Sequence, residues 1–146
     1  MTSWNDTLMI GVPLIDDQHK ELVHRMDKLM SASRSGKGAE EIEKTLRFVV
    51  SYFKEHFNDE EDLQSEYKYP EMQEHKKLHA DFTLTVIKLV QDFQLNGPNQ
   101  ELAGKVNKML LQWVIKHIRT EDKKLAAYIQ YLCCYIMQND TDFSVP

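Results

Sequence analysis

At 146 residues the chain is the size of one domain, and 42% hydrophobic with 28% charged residues is the makeup of a water-soluble protein with a single core. A formal net charge of −5 gives no basic stripe for a nucleic-acid partner, and no apolar run approaches the roughly 20 residues that span a bilayer. The opening MTSWNDTLMIGVPLIDDQHK lacks a basic region followed by an apolar one, so no signal peptide and a cytoplasmic location are expected.

Residues 1–15 read as an extended arm, with Trp4, Leu8, Met9 and Ile10 ahead of Gly11 and Pro13, which resist helix. Asp16 and Asp17 offer N-cap chemistry for a first helix, along which His19, Leu22, Met26 and Leu29 share one face. SRSGKG (33–38) ends it. A second helix runs from about Ala39 to Ser65, with Ile42, Leu46, Val49, Phe53, His56, Phe57 and Glu60 in one stripe. Pro70 stops that helix and is expected in the first turn of the next, about 71–94, which carries His75, Leu78, His79, Phe82, Val86, Leu89 and Phe93. LNGPNQ (95–100) is a turn. The fourth helix, about 100–121, carries Leu102, Val106, Met109, Leu110, Trp113, Val114 and His117.

Four amphipathic helices with short connections and no strand pattern predict an all-α protein, an up-down-up-down four-helix bundle with an N-terminal extended arm and a short C-terminal helix. That last helix, LAAYIQYLCCYIMQ (125–138), is apolar almost all round. It is expected to cap the core, with self-association or docking of a protein partner as other uses of its surface. Residues 1–132 then form the bundle domain and 133–146 a tail. Cys133 and Cys134 are adjacent, and a disulfide between neighbours closes a strained ring. Two free thiols packed as small apolar residues are expected.

Five of the six histidines fall in line with the apolar stripes, and burying five imidazoles without partners is costly. His75 and His79, like His56 and Glu60, are four apart and share a helical face. His117 and Asp122 are five apart, about 140° away from each other on an ideal helix, so they converge only where the helix departs from regular geometry. His24 lies off the stripe and is expected in solvent. Imidazole with carboxylate suits iron, zinc, copper or manganese, and five histidines with two carboxylates exceed one four-coordinate zinc, which suggests two metal ions. A ferritin-like site needs Glu-x-x-His on two helices, a spacing found here at Glu21–His24 alone, and the H-E-x-x-H of zinc peptidases is absent.

The run W-N (4–5), I-D-D-Q-H (15–19), H-F-x-x-E-E (56–61), H-K-K-L-H (75–79) and W-V-I-K-H-I-x-x-x-D (113–122) resembles the hemerythrin family, specifically its single-domain bacterial members, over about residues 4–130. The resemblance implies two irons bridged by Glu60, Asp122 and an oxo or hydroxo group. His75, His79 and His117 would ligate one iron, and His19 and His56 the other. These donors fill all but one position of two six-coordinate irons, and the open one falls on the two-histidine iron, where dioxygen would bind. Leu22, Phe57, Trp113 and Ile115, one or two steps from the ligands, are candidate walls of a dry oxygen pocket. The resemblance implies reversible dioxygen binding for storage, transport or delivery, and not an enzyme. An oxygen or redox sensor, or a di-iron peroxidase, oxidase or nitric-oxide-handling protein, is the alternative.

Overall fold

A computed structural model describes residues 3–97 and 99–139. Within them the elements are a 3-10 turn (Asp6–Leu8), α1 (Pro13–Arg34), α2 (Gly38–Glu66), α3 (Met72–Asn96), α4 (Gln100–His117), a π turn (Ile118–Asp122) and α5 (Lys123–Asn139), with no strand among the described residues. Met1, Thr2, Pro98 of the expected turn and the polar ending after Asn139 lie outside them.

The arm is less extended than expected. Asn5 caps the 3-10 turn by accepting from the Thr7 N–H, and Leu8 is fully buried. Pro13 opens α1 rather than resisting it, because the first helical position needs no N–H. Asp16 is not the cap either. It lies inside the first turn, where its carboxylate accepts from the N–H groups of Ile10 and Gly11 at 2.8 and 3.1 Å. Gly11 sits at φ +88°, which glycine adopts without strain, and the arm thereby folds back over the start of α1. Pro70 falls before Glu71, the N-cap of α3, and so stands two residues ahead of the first helical residue Met72 rather than in the first turn.

The helices run alternately up and down. Gln100, at the start of α4, donates to the Ser33 carbonyl at the end of α1. At the opposite end Lys123 donates to the Thr7 carbonyl, and Tyr128 to the carbonyls of Tyr67 and Lys68 beyond α2. Helix α1 packs between α2 and α4, and α3 packs on α2. The core contains the expected stripes of α1, α2 and α4 (Leu22, Met26 and Leu29; Ile42, Leu46, Val49 and Phe53; Val106, Leu110 and Val114), joined by Phe82 and Val86 of α3. Leu78 departs from its stripe, at 36% exposed.

The C-terminal segment does not cap the core. It continues α4 through the π turn as one rod of 40 residues, Gln100 to Asn139. At about 1.5 Å per residue that rod is about 60 Å long, against roughly 44 Å for α2, so its end passes the bundle. Leu125 is the buried residue of α5, while Tyr131, Tyr135, Ile136 and Met137 are more than half exposed. Cys133 and Cys134 are free thiols as expected, but exposed rather than packed. No helix among the described residues is long and apolar enough to cross a membrane.

Candidate metal centre

Seven buried side chains meet at the end of the bundle where α1 begins. His19 comes from α1, His56 and Glu60 from α2, His75 and His79 from α3, His117 from the last residue of α4 and Asp122 from the π turn. The histidines are 1–6% exposed and both carboxylates are fully buried. His24, as expected, is exposed.

The π turn brings in the last donor. The Lys123 N–H donates to the Ile118 carbonyl five residues back, so residues five apart stack here as residues four apart do in an α-helix. His117 Nε2 and Asp122 Oδ1 are consequently 3.1 Å apart.

Each carboxylate points one oxygen to either side. Glu60 Oε1 is 2.8 Å from His75 Nε2 and 4.0 Å from His79 Nε2, while its Oε2 is 3.2 Å from His56 Nε2. Asp122 Oδ1 lies 3.1 Å from the Nε2 atoms of both His75 and His117, while its Oδ2 is 3.0 Å from His19 Nε2. The donors thus form two overlapping groups, Glu60–His75–His79–His117–Asp122 and His19–His56–Glu60–Asp122, with ligand atoms inside each within 4.8 Å of one another. The carboxylates belong to both.

Hydrogen bonds between these groups do not account for the arrangement. Both oxygens of Glu60, both of Asp122 and His19 Nε2 are buried without a hydrogen-bond partner. His117 Nε2 faces the Nε2 atoms of His75 and His79 at 3.0 and 3.2 Å, and three such nitrogens cannot all be donor and acceptor to one another. Buried polar atoms that converge on points between them rather than on each other fit two cations.

The electrostatics agree. Burial, with the neighbouring His75 and His117, lowers His79 to about 2, which keeps it a neutral donor. Burial alone would raise Asp122, but the surrounding His117, His19 and His75 hold it well below the usual carboxylate range. Burial opposes charge on His75 too, yet Asp122 and Glu60 outweigh it and push it up to about 9. The carboxylate pair therefore attracts positive charge at this point, and metal ligation needs a carboxylate and neutral imidazoles.

Aromatic rings hold the donor rings flat. Phe57 stacks on His79 at 3.8 Å and 8°, Trp113 on His117 at 4.4 Å and 12°, and Phe82 on Trp113 at 3.8 Å and 16°. The far nitrogens of two histidines are also held. His79 Nδ1 is 3.1 Å from Glu61 Oε1 and His56 Nδ1 is 2.7 Å from Gln18 Oε1. Gln18 and Glu61 stand in the motifs I-D-D-Q-H and H-F-x-x-E-E, but sequence reasoning gave them no role, although each is the immediate neighbour of a donor.

A cavity of about 10 Å³ lies on the two-histidine side. Its walls are His19, His56, His117 and Asp122 together with Leu22, Phe53, Phe57, Trp113, Val114 and Ile118. Of the expected pocket residues, Leu22, Phe57 and Trp113 lie in this wall and Ile115 does not; Val114, His117 and Ile118 join Trp113 in lining it from the same stretch. Phe53 and Phe57 also line a separate apolar groove of about 460 Å³ on the outside, between α2 and α3.

Two overlapping groups of buried donors that share two carboxylates and otherwise consist of imidazoles, inside a four-helix bundle, have the makeup of a dinuclear, carboxylate-rich metal centre. Residues 10–129 match the hemerythrin HHE cation binding domain. A bacteriohemerythrin of Stenotrophomonas maltophilia is 31% identical over 128 residues, 87% of this chain and 80% of the relative. A bacteriohemerythrin of Campylobacter jejuni is 28% identical over 130 residues (89% and 96% of the two chains), and a myohemerythrin of Theromyzon tessulatum 28% over 121 residues (83% and 88%). The chain belongs to the hemerythrin family, a family of non-haem iron and oxygen-binding proteins whose domain holds a di-iron centre, and the buried donor set fits that centre.

Proposed function

We propose that this chain binds dioxygen reversibly, for storage, transport or delivery, at a di-iron centre held by His19, His56, Glu60, His75, His79, His117 and Asp122. The observation that carries the reading is the unequal division of donors, three histidines on one side and two on the other, with the cavity on the two-histidine side. Its relatives' names, bacteriohemerythrin and myohemerythrin, support the same reading. A bound iron pair supplies the two electrons that dioxygen takes up on binding and returns on release.

The chain's own residues do the rest. Glu60 and Asp122 fix the separation of the two sides by offering one oxygen to each. Leu22, Phe53, Phe57, Trp113, Val114 and Ile118 exclude water and protons, whose entry would let a bound oxygen leave as peroxide with the electrons. A volume of about 10 Å³ is at the lower bound for one water, so the space is far too small for an organic substrate.

The test is an optical spectrum of the anaerobically reduced protein, then after air, then after argon. A charge-transfer band that rises with oxygen and fades under argon is expected. Immediate oxidation that argon does not reverse would overturn the proposal in favour of redox sensing or oxygen chemistry.

A further inference from the structure

Gln18 is 7% exposed and lies on α1 immediately before His19. Its amide sits between two groups of α2. Oε1 is 2.7 Å from His56 Nδ1, and Nε2 is 2.7 Å from Asp59 Oδ2. A carboxylate accepts and does not donate, so the amide nitrogen must face Asp59. The amide oxygen then faces His56 and must accept from it. His56 is thereby held with its proton on Nδ1 and its lone pair on Nε2, the atom turned to Glu60 and the centre. A half-buried carboxylate dictates the tautomer of a buried imidazole through one side-chain amide.

The three-histidine side is supported differently. His79 Nδ1 meets the Glu61 carboxylate directly at 3.1 Å, and Glu61 is in turn 3.8 Å from Lys76 Nζ. A carboxylate on the far nitrogen draws the proton toward itself and makes the metal-facing nitrogen more basic, and a neutral amide does so less. The two sides therefore differ in donor strength as well as donor number.

We propose that Gln18 is a positioning residue that fixes His56 for ligation and, by placing an amide between His56 and Asp59, keeps the two-histidine side the weaker donor. A weaker donor stabilises the oxidised metal less, so electrons lent to dioxygen return. The inference rests on the di-iron reading of the site.

Exchanging the two groups tests it with little change of shape. In the double variant Gln18→Glu, Asp59→Asn, the new amide at 59 donates to the new carboxylate at 18, which accepts from His56. The hydrogen bonds persist while the charge moves one link closer. Two irons per chain and the wild-type melting temperature are expected, with a lower reduction potential and air oxidation of the reduced protein faster by roughly tenfold or more. Gln18→Leu, which removes the relay, is expected to weaken iron binding by about 10–100-fold at one of the two positions. An exchanged variant with two irons and an unchanged potential and oxidation rate would overturn the inference, as would wild-type iron affinity in Gln18→Leu. Iron counted in the wild-type protein separates the two readings: fewer than two irons there refutes the di-iron centre itself, and the inference with it.

Discussion

The carboxylate oxygens of Glu60 and Asp122 are divided between the two sides of the centre, so neither residue can be replaced by a donor of one atom. Glu60→Gln removes the charge, and leaves an amide whose nitrogen repels a cation on whichever side it faces. Purified Glu60→Gln protein is expected to hold at most one iron per chain, and iron analysis returning two would refute the bridging role. The cavity wall gives a second residue-level expectation. Ile118→Ser places a hydroxyl in the wall and is expected to speed autoxidation, whereas Ile115→Ser, outside the wall, should leave the rate near that of the wild type. Equal rates in the two variants would show that the wall does not protect bound oxygen. Much at this scale was legible in the sequence, because a histidine in line with an apolar stripe must be buried, and buried imidazoles need a partner. Ile115 was misread because nearness to His117 in the chain says little about facing, which the inward line of Val114, His117 and Ile118 decides. Gln18 was missed because its signal is an adjacency that carries no chemistry until α1 and α2 are packed together.

At the scale of elements, Pro13 and the stripe of α2 fall where capping and periodicity require, and the misjudged boundaries follow from local chemistry. A proline reads equally as a helix breaker and as a helix's first residue. The irregularity between His117 and Asp122 was required by their spacing, while its form, a single π turn, needed the backbone. Inserting an alanine after Thr120 would put His117 and Asp122 six apart and rotate Asp122 by about 100° from its place. Far-UV circular dichroism is expected to stay close to that of the wild type while two-iron loading is lost. Retained loading would mean that another residue can supply the missing carboxylate. The course of α5 was not legible, since an apolar helix carries no mark that distinguishes packing on its own bundle from running past it.

For the whole molecule, the centre joins all four helices at one end, whereas the apolar core holds the rest. Metal that binds the folded chain alone adds stability by mass action, about 4 kcal/mol at a free concentration a thousandfold above its dissociation constant. Stripping iron with a chelator should therefore lower the melting temperature by on the order of 10 °C, and restoring iron should reverse the loss. An unchanged melting temperature would mean that the donor cluster is held by packing alone. A π turn also has a consequence along the chain. It contains one residue more per turn than the helix around it, so it advances the phase of everything downstream. That phase decides that Leu125 faces inward and that Tyr128 meets the carbonyls of Tyr67 and Lys68. The bearing of the outlying α5 is thus geared to the placement of Asp122, and a shift of that carboxylate is levered outward along the rod, far from the centre it serves.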